Sequence, residues 1–316
     1  MSSEAVHHEP YIVSWQLQRH SFQHPKCQQR QVEAGNQVSS GKVGTSLKDY
    51  ASKAEVLTAM QSIDARLTAY TDQNKAVANK LQIQDLALNR VADAADATRQ
   101  AIANALANDS AMTLMQDLQA QFGNAIGGLN ADYDGKYLFA GGQVNTKPVS
   151  ATQLSDLTLP PAVIANQFHN DTYIAQAKLD DSTTVNTGML ADQLGTNMMT
   201  AYQSLETFHQ GANGPFNTTL TPAQRTFLEG QLATWTSVHT ALTAATAQNG
   251  NNQARVESVQ KTLESHQVSI KIILSDTTDV NLAEASTRLN LAQQSLQAAA
   301  EAFRTLQNSS LLNYLK

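Results

Sequence analysis

The N-terminal segment holds the residues best suited to binding a metal ion. In "HSFQHPKC", His20 and His24 lie four residues apart and Cys27 follows. On a helix this spacing would place two ligands of a zinc-type site on one face. Pro25 directly after His24 disfavours helix at that point, and no second ligand pair follows at a recognised spacing. We therefore predict a polar leader here and no metal site.

A second segment, "GNQVSSGKVG" at residues 35–44, resembles a phosphate-binding loop at first sight. Such a loop needs four residues between its two glycines, and a Ser or Thr after the lysine to bind the metal ion. Here five residues separate Gly35 from Gly41, and Val43 follows Lys42. Because the spacing and the metal ligand are both wrong, we predict a turn that opens a helix.

Catalytic constellations are not found elsewhere in the sequence. It contains no nucleophile elbow, no HExxH motif and no paired-cysteine motif. The carboxylates of Asp85, Asp93, Asp96 and Asp117 are spread over helical segments, where a solvated face is the simplest interpretation. We therefore expect that the chain is not an enzyme and that it uses neither a cofactor nor a metal ion.

Composition narrows the range of partners. A net charge of -6 and a pI near 5.7 argue against a nucleic-acid surface, which needs clustered Lys and Arg. Membrane insertion is not expected, because no stretch approaches the roughly 20 apolar residues of a span. The first residues lack the apolar core of a cleavable secretion signal, and the single cysteine excludes an internal disulfide.

Long helices are the main elements of the N-terminal half. A seven-residue apolar register runs through residues 47–108, formed by Met60, Leu67, Leu81, Leu88, Ala95 and Ile102. Such a sustained register predicts a coiled-coil-like seam. Asn74 and Gln84 interrupt the seam positions, either as buried polar groups that fix the helix register or as hydrated positions. A second helix is predicted at about residues 111–129.

The C-terminal segment carries the clearest signal for helix pairing. Large apolar residues and alanines form two rows, each at seven-residue spacing, which predicts a narrow seam. The residues that we predict to mediate self-assembly are Leu282, Leu289, Leu296, Phe303, Leu306, Leu311, Leu312 and Leu315. The last three have little of their own chain left to cover them. They either pack on the N-terminal segment or wait for another copy.

The middle of the chain changes character. Residues 143–188 are Thr-rich and contain Pro148 and the Pro160-Pro161 pair, which predicts strands joined by turns. Helices are predicted again at about 189–210 and 221–275. The second of these would begin with a capping box between Thr221 and Gln224, and "QNGNN" at 248–252 is a candidate irregularity.

These patterns predict a mainly α fold. An elongated antiparallel helical, coiled-coil-like core would be formed by the N- and C-terminal segments, with an inserted β-containing middle domain. The predicted domains are an N-terminal leader and assembly segment (1–46), the N-terminal half of the core (47–142), the inserted variable domain (143–220), the C-terminal half of the core (221–280) and a C-terminal assembly helix (281–316).

The segment "LNADYDGKYLFAGG" at residues 129–142 marks the boundary between core and insert. A glycine able to adopt the left-handed conformation would end the helical half, an apolar strand-like anchor would follow, and a glycine pair would turn into the insert. The boundary residues are Gly135, Tyr137, Leu138, Phe139, Gly141 and Gly142.

Four of these segments together resemble one family, the bacterial flagellins and flagellar hook-associated proteins. They are "GNQVSSGKVG", "DLALNRVAD", "DGKYLFAGG" and the C-terminal "DTTDVNLAEASTRLNLAQQSLQAAAEAF" with its "SLLNYLK" ending. The resemblance covers about 36–142 and 225–316 and is closest to the hook–filament junction type. One departure is Pro25, within a segment where the family has a continuous helix.

The resemblance implies a structural role without catalysis. It implies a homo-oligomer, as a ring or filament, with neighbouring hook and filament proteins and an export chaperone as further partners. It also implies an extracellular location in the flagellum, reached without a cleaved signal peptide. Two alternatives stay open: filament flagellin itself, and a surface-exposed ligand-binding module carried on a helical stalk.

Overall fold

The computed structural model describes residues 26–308, except for the side chains of Ser52 and residues 306–308. The described helices are α1 (26–40), α2 (Ala54–Ala107), α3 (Leu114–Leu129), α4 (Ala191–Gln210), α5 (Pro222–Thr278) and α6 (Leu282–Asn308). Short 3-10 helices lie at Leu47–Lys53, Leu154–Leu157 and Ile164–Gln167. The fold is mainly α with small antiparallel strand pairs in the middle of the chain, as the sequence predicts.

The contacts divide the chain into two compact units. Unit 1 joins Met1–Arg66 with His266–Lys316, and unit 2 is Leu67–Ser265. The boundary between the units therefore falls within α2 and within α5. The described residues of 143–220 lie wholly in unit 2, together with 67–142 and 221–265.

The seven-residue register of α2 is confirmed. Leu67, Leu81, Leu88, Ala95 and Ile102 are all buried, and Met60 is half-buried. The helix begins later than predicted, because Leu47–Lys53 forms a 3-10 helix before it.

Helix α5 runs without interruption through residues 248–252, although the sequence marks this segment as a candidate irregularity. Asn249 there is fully buried, and its Nδ2 donates to the carbonyl of Leu81 at 2.9 Å. The turn-forming composition of this segment is overridden because the buried Asn249 side chain is bound to another helix.

Within unit 2, α2 and α5 run antiparallel. Arg225 at the start of α5 pairs with Asp109 just after α2, at 2.6 Å, and Asn249 lies beside Gln84 further along. Helices α3 and α4 complete a core centred on Phe122, Tyr202 and Trp235, whose rings meet edge to face with centroids 5.1 and 4.5 Å apart. Edge-to-face contacts suit the charge distribution of aromatic rings and add to the stability gained by burial.

Gly128 explains how α3 approaches α2 closely. A side-chain carbon at this position would lie 2.5 Å from Val91 Cγ2 and 2.9 Å from the carbonyl oxygen of Ala87. Helix α3 continues through the Gly127-Gly128 pair to Leu129, where the sequence predicts its end, and it uses the small residue for packing.

The middle residues form two short hairpins. Strands β1 (Asp132–Tyr133) and β2 (Lys136–Tyr137) pair with each other, as do β3 (Gln176–Lys178) and β4 (Thr184–Asn186). The second hairpin buries Leu179 and Val185 in a small cluster with Leu81 of α2 and Val256 of α5. Strands in the Thr-rich segment are thus confirmed, although they are only three residues long.

The start of α5 has the capping box that the sequence predicts. Gln224 N donates to Thr221 Oγ1 at 3.2 Å, and Thr221 N donates to Gln224 Oε1 at 3.1 Å. These reciprocal bonds satisfy two backbone groups that would otherwise lack partners at the helix end. No helix of the described residues is long and apolar enough to cross a membrane.

Candidate assembly surface

The C-terminal helix α6 is positioned by a cap that the sequence analysis missed. Asn281 Oδ1 accepts hydrogen bonds from the backbone N–H of Ala283 at 3.1 Å and of Glu284 at 3.3 Å. The signal is present in the sequence, because Asn281 is followed three residues later by Glu284.

One face of α6 is covered within the chain. Ala285 is fully buried, and the half-buried residues that continue its row at spacings of four and three are Leu289, Ala292, Leu296 and Ala299. The facing helix is α1. A side-chain carbon placed on Gly35 of α1 would lie 4.0 Å from Leu289 Cδ1, which is ordinary contact distance. A groove of about 310 Å³ between these helices is lined by Cys27, Ala34 and Leu291 among others.

The predicted assembly residues therefore fall into three groups. Leu289 and Leu296 lie half-buried on the face of α6 that meets α1. Leu282 and Phe303 are exposed, at 53% and 50% of their surface. The remaining four lie outside the described side chains: Leu306, Leu311, Leu312 and Leu315.

Unit 1 also exposes apolar side chains that the sequence analysis did not single out. Sixteen large apolar side chains are exposed among the described residues, and ten of them belong to unit 1. Unit 1 contains fewer than a third of all the described residues. The ten exposed side chains are Val32, Val43, Leu47, Val56, Val268, Ile272, Ile273, Leu282, Leu291 and Phe303. Val268 and Ile272 lie one helical turn apart on α5. A concentration of exposed apolar surface in one unit is typical of a protein–protein contact.

The predicted boundary segment is a buried anchor. Gly135 has a φ of +71° and follows Asp134 at +53°, as a tight two-residue hairpin turn requires. Tyr137 is half-buried, and Leu138 and Phe139 are buried in the core of unit 2. The segment thus fixes the β1–β2 hairpin to the helices.

Asp171 holds the glycine pair that follows. Its Oδ1 accepts hydrogen bonds from Gly142 N at 2.8 Å and Tyr173 N at 2.9 Å. The bond from Gly142, together with that from Tyr173, keeps the pKa of Asp171 below its usual value. Gly141 has a φ of +67° and lies directly against Asp171, which leaves no room for a side chain. This contact is not predictable from local sequence, because its partners are 29 residues apart.

The two polar interruptions of the α2 seam are buried. Asn74 Nδ2 donates to the carbonyl of Leu179 at 3.1 Å, and Gln84 Nε2 donates to Asn249 Oδ1 at 3.1 Å. Asn74 therefore holds the β3–β4 hairpin, and Gln84 holds α5. Asn74 and Gln84 are therefore buried polar groups and not hydrated positions of the seam.

The residues first considered for chemistry do not converge on a site. His20 and His24 lie outside the described residues, and Cys27 is half-buried in the α1–α6 groove. Within the described part of the chain, no group of three His, Cys, Asp or Glu side chains could hold a metal ion. The "GNQVSSGKVG" segment is the end of α1 followed by a turn whose Lys42 meets Asp279.

Comparison with known protein families finds matches for the N-terminal and the C-terminal helical regions of the chain. Residues 21–144 match the bacterial flagellin N-terminal helical region, and residues 232–315 match the bacterial flagellin C-terminal helical region. The chain belongs to the flagellin family. The unmatched segment between the two flagellin regions contains the β3–β4 hairpin, α4 and the start of α5.

Solved structures share the flagellin-family fold at low sequence identity. A protein of Vibrio parahaemolyticus assigned as a flagellar hook-associated protein matches with a TM-score of 0.59 and 12% identity, over 73% of this chain and 100% of its own. FlgL of Bacillus cereus matches with a TM-score of 0.52 and 13% identity, over 70% of this chain and 99% of its own. No curated protein sequence matches this chain.

Proposed function

We propose that this flagellin-family chain is a structural subunit of the bacterial flagellum, a hook-associated junction protein that connects hook and filament by self-assembly through its terminal helices. The observation that carries the proposal is the concentration of exposed apolar side chains on unit 1, the unit that contains α1 and α6. Apolar surface of this kind is stabilised when another subunit covers it.

The junction role is supported by the fold and by the boundary segment. Two of the solved structures that share this fold are a hook-associated protein and FlgL, and the "YLFAGG" and "SLLNYLK" segments resemble the junction type. Filament flagellin is the second candidate, because both matching family regions are those of flagellin.

The middle of the chain favours a structural role over a separate ligand-binding module. Gln73 and Asn74 of α2 donate to the carbonyls of Lys178 and Leu179, and Asn252 of α5 donates to the carbonyl of Asn186. The β3–β4 hairpin is thus bonded to both long helices, and it stabilises them by doing so.

The proposal includes the location and the partners of the protein. It places the chain outside the cell in the flagellum, as a ring or filament of copies with hook and filament proteins as neighbours. Export without a cleaved signal peptide and binding of an export chaperone follow from the flagellin family resemblance. We assign the protein no catalytic role.

Deletion of the coding sequence tests the proposal. A strain without this protein is expected to build hooks without filaments and to release unassembled filament subunits into the medium, because the platform for filament growth is missing. Electron microscopy of the cells and analysis of the medium provide the measurement. A deletion strain with full-length filaments would contradict the structural role. Hooks without filaments and no filament subunit in the medium would favour filament flagellin.

A further inference from the structure

Two breaks between helices lie side by side in unit 1. Helix α1 ends at residue 40 before the turn at 41–46, and three residues separate α5 from α6. Val43 N donates to the carbonyl of Thr278 at 2.7 Å, and Val280 N donates to the carbonyl of Gly41 at 3.0 Å. Lys42 and Asp279 therefore face each other as an isolated antiparallel bridge. We call Gly41–Val43 and Thr278–Val280 the clasp.

Side chains reinforce the clasp from both segments. The Lys42 ammonium contacts the Asp279 carboxylate and donates to Thr278 Oγ1 at 3.2 Å. Ser275 Oγ donates to Asp279 Oδ2 at 2.5 Å, and Gln37 Nε2 donates to the carbonyl of Val43 at 2.9 Å. Both partners of the ion pair are nearly half exposed, at 48% and 45% of their side-chain surface. Because exposed ion pairs are weak, the Lys42–Asp279 pair contributes only a small free energy to holding the clasp closed.

Apolar packing gives the clasp little support. Val280 is only half-buried, and Val43, Leu47 and Leu282 are exposed. The nearest buried residues are Ala34 and Ala285 in the α1–α6 pair, and Leu57 in α2. A segment held by hydrogen bonds without a buried core opens more readily than the helices that flank it.

The backbone next to the clasp can absorb a change of direction. Gly41 has a φ of +69° with no atom within 4 Å of its missing side chain. Ala51, in the 3-10 helix that leads to α2, is held at a φ of 41° and a ψ of -108°, a conformation that costs free energy for a residue with a side chain.

We propose that the clasp is a joint, about which the paired helices α1 and α6 turn as one body relative to the adjoining ends of α2 and α5. The helical structure is interrupted between α1 and α2 and between α5 and α6, and the clasp joins the two interruptions. The α1–α6 pair can therefore change its angle to α2 and α5 without unfolding a turn of either long helix. A few residues at element ends that change φ and ψ are the usual composition of a hinge. This inference concerns the movement of unit 1 and does not depend on the junction role.

Distance measurements between spin labels test the joint. On the full chain with Cys27→Ser, labels are attached at Lys271→Cys in α5 and Gln297→Cys in α6, both at exposed positions. Lys42→Ala with Asp279→Ala removes the ion pair, and Val43→Pro separately removes the donor to Thr278. We expect either change to at least double the width of the α5–α6 distance distribution, with unchanged helix content by circular dichroism.

The control removes an ion pair that crosses no break. Glu257 and Lys261 form an exposed pair within α5, at 2.7 Å, and their replacement by Ala is expected to leave the distribution unchanged. A distribution that stays as narrow as that of the parent in both clasp variants would overturn the proposal. So would equal broadening in the Glu257 and Lys261 control.

Discussion

Gln84 and Asn249 are hydrogen-bonded to each other in the interior of unit 2, 165 residues apart in the chain. Gln84 Nε2 donates to Asn249 Oδ1 at 3.1 Å, and both side chains are fully buried. Asn249 Nδ2 also donates to the carbonyl of Leu81. This buried polar pair limits how far α5 can slide along α2, because a shift in register separates the two amides from each other.

Removing one member of this pair is expected to destabilise the protein more than removing both. Asn249→Leu leaves the Gln84 amide buried without its partner, at a cost of about 1–3 kcal/mol. The double variant Gln84→Leu with Asn249→Leu leaves no orphaned amide and is expected to regain part of that loss. Urea unfolding followed by Trp fluorescence measures both. Strictly additive losses would contradict the account.

The exposed apolar side chains of unit 1 are expected to serve assembly and not stability. Ile272→Ser should weaken self-assembly while changing the free energy of unfolding by no more than about 0.5 kcal/mol, because the side chain is 56% exposed. Leu86→Ser is the matched control, since Leu86 is 63% exposed on a helix of unit 2. Sedimentation velocity measures assembly. Equal assembly of the two variants would argue against a contact at Ile272.

The face of α6 that meets α1 is expected to tolerate no charge. Leu296→Asp places a carboxylate on the half-buried row, where a charge loses part of its hydration and disrupts apolar packing. We expect loss of assembly and of motility in complemented cells. Gln297→Asp, at the exposed neighbouring position, should retain both. If the two variants behave alike, the predicted seam is wrong at this position.

Acid is expected to weaken the clasp. The hydrogen bond from Lys42, with those from Ser275 and Thr278, lowers the pKa of Asp279 to about 2 from its usual 3.8. A lowered pKa in the folded state means that the carboxylate stabilises the fold above pH 4 and loses this effect as pH falls towards 2. The melting-temperature difference between the parent and Asp279→Asn should therefore shrink from pH 5 to pH 2.

The control for this titration is Asp276→Asn on the same helix. Among the described residues its carboxylate has no ion-pair partner, so this variant removes a carboxylate from α5 without breaking the clasp contacts. A difference for Asp279→Asn that stays constant down to pH 2 would contradict the assignment of the clasp to the charged carboxylate.

Features set by near neighbours in sequence were predictable. Leu81, Leu88 and Ile102 are buried where their seven-residue spacing indicates, and Thr221 caps α5 through a residue three positions away. Features set by distant partners were not. The continuity of α5 depends on Gln84, and the turn at Gly142 depends on Asp171. Periodicity likewise identifies the apolar row of α6 but cannot assign its partner, and the structure places α1 of the same chain against it.

The most direct test of the central claim is the position of the protein on intact flagella. Immunogold electron microscopy with an antibody against residues 143–220 is expected to place gold particles at the hook–filament junction only, since the account makes this chain the connection between the two. Labelling along the whole filament would contradict the junction role and identify a filament subunit. Flagella without any label, from cells that produce the protein, would contradict a structural role altogether.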